Sequence, residues 1–190
     1  MKTKTLIMLI GPSASGKDTL AKELYKQLDE KGHRVILDTT RPPRAKENDN
    51  IDYHFLSEEE FYNVNHLSIS EYRGWKYGIP TEEIKFSKIN ICVGDIQLLA
   101  RLKNLSSIKI VPIYCNAQAH ERLSRSIKRE KGFRFEFIRR MFVDAYAFSD
   151  IKSYLEKSFP FYVSSFSSSK ISVKKEAERI VEQWNESYKQ

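Results

Sequence analysis

Short apolar runs recur along this chain and are separated by segments whose apolar residues follow helical spacing. The runs are mostly continuous rather than alternating, which is typical of strands that helices cover on both faces. They occupy residues 5–10, 34–37, 89–93, 108–114 and 161–163. The regular alternation of strand and helix predicts an α/β fold with a mainly parallel sheet.

The segments between these runs carry the apolar stripes of amphipathic helices. In the first segment Leu20, Leu24 and Leu28 fall on one face, and Ser172 is a candidate N-cap for the last one. We predict helices at 17–30, 57–64, 96–102, 117–130, 135–148 and from about 172 onwards. The serine-rich run at 164–169 is predicted to be a loop.

Residues 39–83 break this alternation. Proline-rich, aromatic and glycine-containing stretches replace the long apolar runs there, and only one short helix is predicted. We interpret the segment as a small insertion at the edge of the sheet. With 190 residues in total, the chain fits a single domain that can bury a proper core.

The composition is that of a globular protein, with 41% hydrophobic and 30% charged residues. No apolar run approaches the roughly 20 residues needed to span a bilayer, and the run at 5–10 leads into a glycine loop without a cleavage site. Cys92 and Cys115 lie inside apolar runs, so we expect buried thiols. These features predict a cytoplasmic protein without a membrane partner.

The net charge of +7 makes nucleic acid a partner to consider. Much of the excess lies in one stretch of the second half, at Arg122, Arg125, Lys128, Arg129, Lys131, Arg134, Arg139 and Arg140. Such a cluster suits a polyphosphate as well as a nucleic-acid backbone. The chain has neither zinc-spaced cysteines nor an aromatic RNA-binding signature, so the sequence disfavours nucleic acid as a partner.

A glycine-rich loop follows the first apolar run and precedes the first helix. Its sequence fits G-x-x-x-x-G-K, in which consecutive backbone N–H groups point at phosphate oxygens and the lysine reaches the β- and γ-phosphates. The predicted ATP-binding residues of the loop are Gly11, Ser13, Ala14, Ser15, Gly16 and Lys17. A glycine turn beside a surface lysine is the alternative interpretation, and the strand and helix on either side argue against it.

Asp18 stands where this motif has a serine or threonine that binds Mg²⁺, and Thr19 comes one place late. A carboxylate could bind Mg²⁺ directly or through water. It could equally be an acidic first-turn residue that stabilises the helix dipole. Both interpretations stay open for Asp18.

Two arginines lie three residues apart in the proline-stiffened stretch Thr39-Thr40-Arg41-Pro42-Pro43-Arg44. Guanidinium forks bind phosphate oxygens bidentately, so Arg41 and Arg44 could face one anion. In isolation they would be interpreted as solvated loop residues. The phosphate loop upstream favours the functional interpretation, because a phosphoryl acceptor also needs a binding site.

These motifs together resemble those of the guanylate kinase family, whose members transfer phosphate from ATP to GMP. The matching stretches are Gly-Pro-Ser-x-x-Gly-Lys, Thr-Thr-Arg-Pro-Pro-Arg, Asp-Tyr-His-Phe-Leu-Ser-Glu-Glu-Glu-Phe and the pair Tyr77-Gly78. The resemblance implies a three-layer α/β/α P-loop fold with a five-stranded parallel sheet. It also implies a core at about 1–37, 84–123 and 143–190, an acceptor-binding insertion at about 38–83, and a helical lid at about 124–142.

The resemblance assigns roles to individual residues. It implies that the acceptor phosphate is held by Arg41, Arg44, Tyr53 and Tyr77, and that the base is read by Glu71 and Asp95. It implies that lid arginines at Arg125, Arg129 and Arg140 grip the phosphates of ATP, which would bind with Mg²⁺. Catalysis would then rest on Lys17, Arg41, Arg129 and Arg140, which neutralise charge during the transfer.

Several positions depart from the family pattern, among them Leu37, Ile79 and Val93. They lie among the positions that the family uses for the base and for the metal, whereas the phosphate-binding positions are retained. The departures keep two alternatives open. One is a ribose 1,5-bisphosphate phosphokinase or another atypical kinase, and the other is a non-catalytic binding module of the same fold.

Overall fold

The computed structural model describes residues 4–44, 47–130, 135–166 and 172–188, and the side chains of 129, 130, 136, 166 and 186–188 are outside that description. Its strands are β1 (Lys4–Ile10), β2 (Gly32–Arg34), β3 (Asp38–Thr39), β4 (His54–Phe55), β5 (His66–Tyr72), β6 (Trp75–Pro80), β7 (Ile89–Val93), β8 (Ile108–Asn116) and β9 (Val163–Phe166). Its α-helices are α1 (Lys17–Leu28), α2 (Glu58–Asn63), α3 (Ile96–Leu102), α4 (Ala119–Glu130), α5 (Phe135–Ala147), α6 (Ile151–Ser158) and α7 (Val173–Tyr188).

The main sheet has five strands in the order β2-β7-β1-β8-β9. Strand β2 pairs with β7, and β8 with β9, in parallel. Residues 6–10 of β1 are all buried, as a central strand between helical layers requires. The predicted α/β fold with a five-stranded parallel sheet is thereby confirmed.

The chain divides into two compact units. The first comprises Met1–Met8 and Glu30–Ile110, and its core includes Phe61, Ile79, Leu98, Leu99 and Leu102. The second comprises Leu9–Asp29 and Val111–Gln190, and in it α1 packs along α7. In the part of the chain that the structure describes, no helix is both long and apolar enough to cross a membrane.

Some predicted elements need correction. The run at 34–37 is not a strand along its length, since β2 ends at Arg34. Ser164 and Ser165 belong to β9 instead of a loop, because pairing with the buried strand β8 outweighs the local preference of serine. The remaining residues of that serine-rich run lie outside the described part. Helix α6 was not predicted, since only Ile151 and Leu155 bury its apolar side.

The insertion has a four-stranded sheet of its own, in the order β4-β3-β6-β5. The sequence predicted α2 within the insertion, but not the hairpin of β5 and β6. Its turn residues Arg73 and Gly74 have φ angles of 60° and 77°. Two consecutive positive φ angles fit a two-residue hairpin loop, for which Asn-Gly or Asp-Gly is the usual sequence signal. Arg-Gly lacks that signal, so the hairpin was missed.

A buried carboxylate ties three strands of this small sheet together. Asp38 is 2% exposed, and its oxygens lie 2.7 Å from Nδ1 of His54 and 2.8 Å from Nε2 of His66. The ring of His66 also stacks on Phe61 of α2 with centroids 4.3 Å apart. A Cβ atom at Gly78 would lie 2.3 Å from Cδ2 of His66, so this position has no room for a side chain.

Burial raises the pKa of the Cys92 and Cys115 thiols from 9.0 to about 12. At pH 8 the thiolate is therefore roughly a thousandfold scarcer than in an unburied cysteine. We expect neither thiol to react with an aromatic disulfide reagent in the native protein, and both to react once guanidinium unfolds it. The measurement is the time course of labelling at pH 8, and rapid native labelling would contradict the burial.

Candidate active site

The phosphate loop lies between β1 and α1, in the second unit. At Gly11, φ is 146°, and a Cβ atom there would lie 2.1 Å from the carbonyl oxygen of Cys115. Only glycine can therefore occupy the first position of the loop. Gly16 comes directly before α1, so the N-terminal end of that helix faces the loop as an anion site requires.

Lys17 closes this loop. Its Nζ donates hydrogen bonds to the carbonyl oxygens of Gly11, at 2.7 Å, and Pro12, at 3.0 Å. Burial lowers the pKa of Lys17, and the neighbouring Asp18 opposes that change. An ammonium group has three donors, so one remains for a phosphate oxygen. Asp18 and Thr19 are both exposed in the first turn of α1.

Asp144, which sequence reasoning missed, and Arg122, named there only as part of the basic cluster, hold the backbone of Ser13. Asp144 Oδ2 accepts from the backbone N–H of Ser13 at 2.8 Å and from Nη2 of Arg122 at 2.9 Å. Nε of Arg122 donates to the Ser13 carbonyl oxygen at 2.9 Å. Asp144 is the one acidic residue of the sequence between Glu136 and Asp150, a weak signal that could have drawn attention to it.

The predicted lid arginines have different surroundings. Arg125 on α4 reaches the phosphate loop, where its Nη1 donates to the carbonyl oxygen of Ala14 at 3.3 Å. Arg140 is half-buried on α5. The backbone of Arg129 lies in α4, but its side chain is outside the described part. The structure therefore connects Arg125 with the loop and leaves the role of Arg129 as a prediction.

In the first unit, Arg41 packs beside two aromatic rings. It is 8% exposed, and its guanidinium carbon lies 5.4 Å from the ring centroid of Tyr53 and 5.7 Å from that of Phe55. The rings of Tyr53 and Tyr77 are 6.0 Å apart. Three of the four predicted phosphate-binding side chains are therefore brought together.

Glu47, which the sequence did not single out, holds the guanidinium of Arg41. The contacts are 2.9 Å from Nη1 to Oε2 and 3.1 Å from Nη2 to Oε1, and Oε2 accepts from the backbone N–H of Arg44 at 2.9 Å. Burial disfavours the charged form of Glu47, but the hydrogen bonds from Arg41 and Arg44 outweigh it, and its pKa is lowered. Nε of Arg41 is buried without a partner among the described residues. One donor of Arg41 is thus left for an anion.

The fourth predicted phosphate-binding residue, Arg44, is more open. Its side chain is 67% exposed, and Nη1 lies 3.6 Å from Oε1 of Glu47. Arg44 is thus next to Arg41 through a shared carboxylate, and most of its side chain faces solvent.

Glu71 and Asp95, predicted to read one base, are not brought together. Asp95 caps α3, where its Oδ1 accepts from the backbone N–H of Leu98 at 2.8 Å, and its Oδ2 accepts from Ser70 Oγ at 2.7 Å. Glu71 is exposed and lies opposite Lys76 in the hairpin. Side chains of consecutive strand residues point to opposite faces, so Glu71 points away from the side on which Ser70 meets Asp95.

Three of the departures from the family pattern, at Leu37, Ile79 and Val93, are apolar side chains. Leu37 is 5% exposed and Ile79 is fully buried, so both contribute to the core of the first unit. Val93 is half-buried at the end of β7. None of the three side chains can donate or accept a hydrogen bond.

Comparisons with known proteins agree with this arrangement. The family model described as guanylate kinase matches residues 2–165. A protein named guanylate kinase from Synechococcus sp. (strain JA-3-3Ab) is 34% identical over 134 residues, which are 67% of this chain and 61% of that relative. The guanylate kinase of Chlamydia felis is 28% identical over 180 residues, 85% of this chain and 86% of its own.

A solved structure has the same fold. The crystal structure of guanylate kinase from Anaplasma phagocytophilum superposes with a TM-score of 0.65 at 19% identity, covering 100% of this chain and 89% of the other. At this identity the likeness concerns the fold alone. The family model spans most of the sequence, and this chain therefore belongs to the guanylate kinase family.

Proposed function

We propose that this chain transfers the γ-phosphoryl group of ATP to GMP or dGMP, giving ADP and the nucleoside diphosphate. The observation that carries the proposal is that each unit holds its own set of groups suited to binding phosphate. The second unit has the phosphate loop with Lys17, and the first has Arg41 beside Tyr53 and Tyr77. A phosphotransferase needs one such set for the donor and one for the acceptor.

On the donor side, the backbone N–H groups of the loop and the ammonium of Lys17 would bind the β- and γ-phosphates. Arg125, already bonded to the loop, would add positive charge, and we assign the same role to Arg129 and Arg140. Phosphoryl transfer requires little covalent chemistry from a protein. These residues would neutralise charge on the moving group.

On the acceptor side, the free Nε of Arg41, the surface arginine Arg44 and the phenol groups of Tyr53 and Tyr77 would bind the acceptor phosphate. Glu47 would keep the guanidinium of Arg41 in one orientation while that phosphate binds. The gain in rate from fixing two reactants in this way is large. No general base is needed.

Mg²⁺ would bind with ATP and offset the negative charge of its phosphates. Among the described residues there is no cluster of three metal-ligating side chains. Mg²⁺ bound with a nucleotide commonly takes only one or two protein oxygens, together with substrate phosphates and water. Asp18 and Thr19, exposed directly after Lys17, are the residues that could supply an oxygen.

The proposal predicts ADP release from ATP and Mg²⁺ only when an acceptor is present. The acceptors are GMP, dGMP, AMP, CMP and ribose 1,5-bisphosphate, and we expect turnover with the two guanine nucleotides. Product chromatography identifies the phosphorylated compound. Turnover with ribose 1,5-bisphosphate alone would show that the acceptor is a sugar phosphate and not a nucleotide. A lack of turnover with all five compounds would indicate a non-catalytic binding module.

A further inference from the structure

The four-stranded sheet of the first unit has two different faces. In antiparallel strands, residues that lie directly opposite each other share a face. Thr39 is opposite Tyr77, and Tyr77 is opposite Ser70, so these three side chains form a row across β3, β6 and β5. We call this the acceptor face, because Tyr77 belongs to the predicted phosphate site. Ser68, two residues before Ser70, lies on the same face.

The opposite face is occupied differently. Asp38 and Ile69 both lie opposite Gly78 and therefore share that face, where His66 stacks on Phe61 of α2. Glu71, two residues after Ile69, belongs to this second face as well. A base bound along the acceptor face is thus out of reach of the Glu71 carboxylate.

The group that meets Asp95 on the acceptor face is a hydroxyl. Ser70 is 1% exposed, and its hydroxyl donates a hydrogen bond to Asp95 Oδ2 at 2.7 Å. With that proton committed, Ser70 Oγ can only accept from a ligand, and Asp95 has used two of its about four acceptor sites. The pair therefore keeps unused hydrogen-bond acceptor sites, which suit a ligand that carries N–H donors.

We propose that Ser70 and Asp95 together read the acceptor base, and that the site takes 6-oxopurine monophosphates with or without a 2-amino group. Asp95 would accept from N1–H, which guanine and hypoxanthine share, and Ser70 Oγ from the 2-amino group of guanine alone. This inference rests on the proposed function. When the amino group is absent, Ser70 keeps its bond to Asp95, so no buried group is left unpaired and the penalty is small.

The test compares GMP with IMP by steady-state kinetics and by titration calorimetry. We expect the ratio of kcat/KM for GMP over IMP to lie within roughly tenfold, as one neutral hydrogen bond allows. The Ser70→Ala variant should lower kcat/KM for GMP several-fold and that for IMP less. The ratio of the two kcat/KM values should therefore move toward one. The Glu71→Gln variant should leave both substrates unchanged.

Ser68 supplies the matched control. It is buried on the same strand and face, and its Oγ donates to the backbone carbonyl of Leu98 at 2.9 Å instead of to Asp95. Ser68→Ala should therefore leave the ratio of kcat/KM for GMP over IMP unchanged. A wild-type ratio above a hundredfold, or a ratio that responds to Glu71→Gln and not to Ser70→Ala, would overturn the inference. Binding of both nucleotides in the expected ratio without turnover would overturn the proposed function and support the base reading.

Discussion

Replacing Lys17 by methionine should lower kcat by roughly a hundredfold to a thousandfold, the usual effect of losing one preorganised donor to developing negative charge. Methionine keeps much of the apolar stem and removes the ammonium group. In the structure this group donates to the carbonyl oxygens of Gly11 and Pro12, so it also holds the first residues of the phosphate loop in place. The measurement is ADP release at saturating ATP and GMP.

The control for this experiment lies on the same helix. Lys22 is exposed on α1, and its replacement by methionine should leave kcat within a factor of about two, because an exposed surface change rarely matters. Thermal unfolding of both variants separates a folding defect from a catalytic one. If Lys17→Met keeps more than a tenth of the activity, the assigned role of Lys17 is wrong.

Replacing Arg41 by alanine should raise the KM for GMP by roughly a hundredfold and change the KM for ATP much less. The reason is that charge-assisted hydrogen bonds to a buried guanidinium contribute about 1.5–3 kcal/mol each. The substitution also leaves the partly buried Glu47 carboxylate without its main partner. The readout is the pair of KM values, with the melting temperature recorded alongside.

Two further variants sharpen the interpretation. Arg41→Lys should not restore the affinity for GMP. The guanidinium of Arg41 binds both carboxylate oxygens of Glu47 and still has its Nε–H available for the phosphate, and a single ammonium group cannot do both. Arg44→Ala should have a smaller effect, since its side chain is 67% exposed. Equal changes in the two KM values for Arg41→Ala would refute an acceptor-binding role.

The parts of the candidate site whose local structure agrees with the sequence prediction are contiguous in the chain. The phosphate loop needs its strand, glycines and lysine within a few residues, and local spacing is what a sequence displays. The hydrogen bonds from Ser13 to Asp144 and Arg122 join residues that are 131 and 109 positions apart in the sequence. No local sequence pattern predicts contacts over such separations. The choice between Glu71 and Ser70 shows a second limit of prediction from sequence. A shift of one residue along the strand decides which of the two side chains meets Asp95.

The same reasoning applies to the elements. Strand β1 is apolar after Lys4 and Thr5, strand β7 is apolar except for Asn90, and both were predicted from hydrophobicity. Strand β9 carries serines and exists because β8 offers it a partner, so its strand conformation is a tertiary effect. The hairpin of β5 and β6 likewise depends on a turn whose Arg-Gly sequence is not a typical signal.

The buried group around Asp38 has a consequence for how this sequence can change over time. Its carboxylate binds two imidazoles, and the ring of His66 fills the space in which a side chain at Gly78 would lie. A mutation at Gly78 is therefore tolerated only after His66 has become smaller, and the loss of His66 in turn leaves half of Asp38 unsatisfied. These positions should accept substitutions as a set and in a restricted order, so that the evolutionary path to a larger residue at 78 begins at 38 or 66.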